Sequence, residues 1–98
     1  MNRTAKRLPL RHVPGGADWH MYRLTPPATR PDPYGEGDDQ LVEYVIVSAV
    51  CDRYAHETYI FPCDSSGRVT SWSEMDGSYR GGTDHERALL GLGYEVAA

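Results

Sequence analysis

The densest group of residues able to do chemistry is the run Gly77–Glu86, GSYRGGTDHE. Free amides of a Gly-rich turn that opens a helix, with a guanidinium beside them, suit a phosphate or carboxylate. Arg80, Gly81, Gly82 and Thr83 are therefore the candidate anion cradle. The segment lacks the lysine that stands directly before Ser/Thr in a nucleotide-phosphate loop, and its glycines do not have dinucleotide-fingerprint spacing. A plainer use of the same glycines is a sharp turn that brings chain segments into close contact.

Asp84-His85-Glu86 resembles an acid–base cluster on paper. On a helix, successive side chains point in different directions, so these three do not converge. Early acids also complement the helix dipole without any catalytic role. A metal site would need Cys51 with His56, joined by the distant His12 or His20. No close ligand pair of the zinc-site kind occurs, so the expectation is no metal and no cofactor. Nucleophile elbows, HExxH and paired catalytic carboxylates are likewise missing from the sequence. No catalytic residue is assigned, and the expectation is a protein that is not an enzyme.

Aromatic residues say more. Trp19, Tyr22, Tyr34, Tyr54, Trp72 and Tyr79 are many large amphipathic rings for one small core. Tyr, Trp and Arg dominate the energetics of protein interfaces. Trp72, Tyr79 and Arg80 are accordingly the expected binding surface.

The elements that must position these residues follow from periodicity. Leu41–Cys51 is apolar on both faces, with Val42, Tyr44, Ile46 and Val50 on one and Leu41, Val45, Val47 and Ala49 on the other. That pattern predicts a central strand. His56–Pro62 is its antiparallel neighbour, joined through a loop at Asp52–Ala55 that sets Cys51 opposite His56 and Cys63 opposite Tyr44. The turn Asp64–Gly67 leads to a third strand expected at Arg68–Trp72. Thr83 and Glu86 have capping-box spacing before a helix whose apolar stripe is Ala88, Leu89 and Leu92. Gly93 suits a left-handed helix stop, and Tyr94–Ala97 a last strand.

Upstream, Val13–Gly16 reads as a turn and Asp18–Leu24 as a short edge strand. The prolines at 26, 27, 31 and 33 predict a linker or surface loop from Thr25 to Gly37, without helix or central strand. Residues 1–40 are thus expected to form a basic, Pro-rich arm with a short strand, and 41–98 a compact domain. The fold class expected is α+β: an antiparallel meander of three to five strands with one C-terminal helix packed on a face.

Size and charge bound the partners. A chain of 98 residues has room for one core, and its mean hydropathy of −0.57 is polar for a globular protein. Burial at this size only just offsets chain entropy, so a homo-oligomer or a protein partner would add stability. Six basic residues stand against the single acid Asp18 in the first thirty positions, and four against thirteen acids in the rest. The net charge of −4 disfavours nonspecific nucleic-acid binding. No apolar run is long enough for a membrane span, and the basic N-terminus lacks the apolar core of a signal peptide. In the expected register Cys51 and Cys63 lie about 20 Å apart along the ladder, too far to pair, so both are expected as reduced thiols.

One resemblance covers residues 56–96, under half of the chain. Its residues are Glu57-Thr58-Tyr59-Ile60-Phe61, the Asp64–Gly67 turn, Trp72, Glu74, Gly77–Gly82, Asp84-His85, Ala88-Leu89 and Gly93–Val96. This segment resembles a group of small uncharacterised proteins encoded by actinobacterial tailed phages. The resemblance implies a phage accessory product and carries no activity, ligand or catalytic residue. The function expected is a noncatalytic protein-binding module that acts on a host or phage protein in the host cytoplasm. The alternatives are a minor virion or capsid-associated component and a binder of small anions or phosphate ligands through Gly77–Thr83.

Overall fold

The computed structural model describes residues 3–10, 18–31, 37–51 and 56–97. Its elements are β1 (Thr4–Leu8), β2 (Asp18–Arg30), β3 (Gln40–Cys51), β4 (His56–Cys63), β5 (Tyr79–Arg80), α1 (His85–Leu92) and β6 (Glu95–Val96). The strands form one sheet in the order β5-β4-β3-β2-β1-β6. Because β5 and β6 lie at opposite edges, the segment between them carries α1 across one face. The α+β class stands, with six strands among the described residues in place of three to five. The sheet is also not a simple meander, since β1 and β6 pair in parallel.

β3 is the interior strand its two apolar faces require, flanked by β2 and β4. The β3–β4 register sets Tyr44 opposite Cys63 and Cys51 opposite His56, as the sequence predicts. The loop between them at 52–55, the turn at Val13–Gly16, His12, Tyr34, Tyr54 and the Cys51 side chain lie outside the described residues. Cys63 is free and buried, and burial pushes its thiol up to about 12.

The N-terminal expectations change most. Thr4–Leu8 and Asp18–Arg30, expected as parts of an arm, are both strands of the sheet, and β2 is an interior strand. Pro26 and Pro27 lie inside β2, where a linker was expected. The physical reason is a bulge. Between the pairs Arg23–Tyr44 and Ala28–Val42, β2 advances five positions while β3 advances two. The prolines fall in that interval, where no ladder bond to β3 needs their missing N–H. Val42, paired with Ala28 beyond the shift, joins the cluster with Val45 and Val47, and Leu41 is exposed.

Arg68–Trp72 does not form the expected third strand; only an isolated bridge joins Val69 to Cys63. Ile60 and Pro62 direct their backbone groups to the outer edge of β4. Thr70 N–H donates to the Pro62 carbonyl at 2.9 Å, but Pro62 has no N–H to return, so the ladder stops there. Further along the edge, Met75 N–H donates to the Ile60 carbonyl at 2.8 Å, and Ile60 N–H donates to Ser78 Oγ at 2.8 Å. The 70–78 segment therefore covers the edge that β5 is too short to pair.

On the helix side, Leu24, Val45, Val47, Ile60, Ala88, Leu89 and Tyr94 pack in one buried cluster. The apolar stripe of α1 falls where its spacing predicts, with Ala88 and Leu89 buried. Asp84, not Thr83, is the N-cap, its carboxylate accepting from Arg87 N–H at 3.2 Å. Tyr79 Oη accepts from Asp84 N–H at 2.8 Å and fixes the chain one residue later than the capping-box spacing suggests. Gly93 ends the helix in the left-handed region with φ 104°, and Tyr94 N–H donates back to the Leu89 carbonyl. On the opposite face, Met21, Ile46 and Cys63 form a smaller cluster against Leu8, Leu10, Trp19, Tyr44 and Val69.

Two close contacts fix the bulge and α1 against the rest of the fold. Buried Tyr94 donates from its hydroxyl to the Pro26 carbonyl at 2.6 Å, tying the bulge to the C-terminal strand. Gly77 (φ 95°) approaches α1 so closely that a Cβ there would stand 2.4 Å from the Ala88 carbonyl oxygen. Gly77→Ala is therefore expected to cost about 2–4 kcal/mol from strain and overlap together. Gly81→Ala, also at positive φ but with no described residue beyond its chain neighbours within 4 Å of the added Cβ, is expected to cost only about 1 kcal/mol; urea midpoints separate the two. Tyr94→Phe leaves the Pro26 carbonyl without its donor and is expected to cost about 1–2 kcal/mol. An unchanged midpoint would show that the hydroxyl does not hold the bulge.

Candidate functional site

Strand alternation sorts the candidate residues onto two faces of the sheet. Asp18, His20 and Tyr22 occupy alternate positions of β2 and stand on the helix side. Trp19 and Met21 stand on the other. Across the sheet Trp19 aligns with Ser48 and Tyr59, and Met21 with Ile46 and Phe61.

The expected surface of Trp72, Tyr79 and Arg80 is divided by this alternation. Trp72 reaches the helix-free face, where its ring meets Phe61 edge-on at 5.2 Å and Trp19 at 6.2 Å between centroids. It remains 67% exposed. Arg80 joins the same face, its Nε 3.3 Å from Glu57 Oε1, and Tyr59 donates its hydroxyl to Glu57. That hydrogen bond to the carboxylate is the main reason the Tyr59 hydroxyl is held above its ordinary pKa. Tyr59 stacks on Phe61 at 6.0 Å, so charged and aromatic groups form one continuous strip.

Tyr79 stands on the other face. Its hydroxyl bonds the backbone of Asp84, and the Arg87 guanidinium lies 4.7 Å over its ring. Its role is to hold the start of α1. A cue was present in the sequence: adjacent strand residues 79 and 80 cannot share a face.

The Gly-rich loop is spoken for by the protein itself. Gly81 and Gly82 both donate their N–H groups to the His56 carbonyl, at 2.7 and 3.0 Å. Buried Thr58 donates from Oγ1 to the Gly82 carbonyl at 2.9 Å. These amides are not the free donors that an anion cradle of Arg80, Gly81, Gly82 and Thr83 requires, and Arg80 points to Glu57. The glycines serve the turn that returns the chain from β5 to α1.

A different constellation occupies the helix side. His85, the first residue of α1, brings Nε2 to 3.0 Å from Asp18 Oδ2. His20 Nε2 lies 3.3 Å from Asp18 Oδ1. The two imidazoles stack with centroids 4.1 Å apart and planes 24° from parallel. Tyr22 Oη lies 3.4 Å from His20 Nδ1. His85 Nδ1 is buried and has no hydrogen-bond partner among the described residues. A cavity of about 620 Å³ adjoins the pair, with Arg7, Tyr22, Tyr79, Glu86 and Arg87 among its walls.

Sequence reasoning placed His20 only in a set with cysteine and missed this group. The local cue was Asp18-x-His20, two residues on one strand face; the third member lies 67 positions away. His85 carries no such cue in the sequence, where its neighbours on a helix are expected to diverge. They do: Asp84 caps the helix while His85 turns to the sheet.

Burial is the leading cause that pulls His20 below its ordinary pKa of 6.5, followed by repulsion from His85 and Arg7, with Asp18 opposing. A lowered pKa in the folded state means that the unfolded chain binds more protons as pH falls through 6.5. The stabilisation is full above that pH and is lost on acidification toward the lowered value. In chelator-containing buffer, the urea midpoint should fall between about pH 7 and pH 5.5, and His20→Gln should flatten that dependence. Ring-proton NMR of His20 should show its titration below 6.5; a midpoint above it would contradict the packing described. Compared with protein-family models, with curated proteins and with solved structures, the chain finds no match.

Proposed function

We propose that the chain is a noncatalytic protein-binding module that docks a folded host or phage protein through the helix-free face of its sheet. The observation that carries this reading is Trp72, two-thirds exposed yet held against Phe61 and Trp19. A large ring fixed by two aromatic supports loses little freedom on binding and offers a wide apolar contact, the pattern of interface anchors. Arg80 and Glu57 supply a charged rim next to it. The partner this strip fits presents an apolar hollow for Trp72 and a carboxylate within reach of Arg80.

The resemblance of residues 56–96 to actinobacterial phage proteins supports a phage accessory role in the host cytoplasm. Among the described residues, no helix is long and apolar enough to cross a membrane.

The test is affinity capture from an actinobacterial lysate, followed by affinity measurement on the recovered protein with variants of the strip. Trp72→Ala is expected to weaken binding by about 2 kcal/mol or more while the fold survives. Arg80→Ala should weaken it less, with a loss of salt dependence. Tyr79 holds the helix start, so its loss would report on the fold rather than on the surface. Full affinity in both variants would contradict this surface, and recovery of the chain in purified virions at fixed copy number would favour the structural alternative.

A further inference from the structure

We infer that Asp18, His20 and His85 form a binding site for one divalent transition-metal ion of the zinc type. Their donor atoms lie within 4.8 Å of one another. The two carboxylate–imidazole separations, 3.0 and 3.3 Å, match the spacing between neighbouring ligands around a tetrahedral ion bound at about 2.0–2.2 Å. Two imidazoles and one carboxylate favour zinc, cobalt, nickel or copper over calcium and magnesium, which take all-oxygen shells.

The elements that present these donors are separately fixed. β2 sets Asp18 and His20 on one face through its register with β3. α1 delivers His85 from a helix start held by the Asp84 cap and the Tyr79 hydroxyl. The His85 side chain is nine-tenths buried, and its Nδ1 has no partner among the described residues. On an imidazole ring Nδ1 points away from Nε2, so this atom lies outside the donor set, which is the two Nε2 atoms and the Asp18 carboxylate. Two stacked imidazoles also cannot hydrogen-bond each other, and both Nε2 atoms turn to the one Asp18 carboxylate.

Metal at the Nε2 atoms would displace their protons and leave each ring protonated at Nδ1. For His20 that proton faces Tyr22 Oη, an outer hydrogen bond of the kind that orients metal-bound histidines. The stacked rings lie in near-parallel planes, so their in-plane Nε2 lone pairs do not converge, and loading requires the partly exposed His20 ring to rotate. Three protein ligands leave a coordination position for water beside the cavity.

The experiment is calorimetric titration of zinc ion into the untagged, chelator-treated full chain. NMR follows the histidine ring signals in parallel. One equivalent should bind, and the His20 and His85 rings should shift together. Asp18→Asn, at an exposed position, and His85→Gln should each weaken binding about tenfold or more, with circular dichroism confirming the fold. If His85→Gln fails to fold, Asp18→Asn decides alone. No binding to the native chain, or unchanged binding in the folded variants, would overturn the assignment; the second result would place the ion at another group.

Discussion

The pairing of β2 with β3 is the constraint on which the rest of the structure depends. Both strands are interior, and β2 alternates its side chains between two differently used faces. One set, Trp19 and Met21, builds the small cluster beneath Trp72. The other, Asp18, His20 and Tyr22, faces α1 and contributes to the main core and the histidine pair. A slip of one residue would exchange the two sets and remove both constellations. The bulge at Pro26 and Pro27 ends the first register, and the Tyr94–Pro26 hydrogen bond ties that break to the C-terminus.

This arrangement separates two tasks. The helix-free face carries a strip of rings and charges that is open to a partner. On the helix side, the N-terminal end of α1 brings His85 to Asp18 and His20 beside a cavity. Neither region depends on the other for its contacts, so substitutions in one should leave the other intact. Free, buried Cys63 belongs to the small core against which Trp19 packs.

Much of the C-terminal half was legible in the sequence because its signals are local. The two apolar faces of 41–51, the register across to 56–63, the stripe of Ala88 and Leu89 and the left-handed stop at Gly93 all follow from spacing over a few residues. The N-terminal half was obscured by its prolines. Local preference argues against a strand at Pro26 and Pro27, and only the offset between β2 and β3 shows how a bulge accommodates them. Pro62 misled in the opposite direction: harmless within β4, it ended the ladder that 68–72 would have needed. The histidine cluster joins positions 20 and 85 through tertiary packing, which no short-range pattern reports. Tyr79 was legible as important but not as structural, since its hydroxyl partner is the backbone of Asp84.

Native-state hydrogen exchange, resolved by residue, tests the central role of the β2–β3 pairing most directly. The account predicts that amides of Tyr22 and Leu24 exchange only with the global unfolding that also releases Val45 and Val47. Fast exchange across 18–30, with 41–63 still protected, would contradict it and would detach both constellations from the sheet.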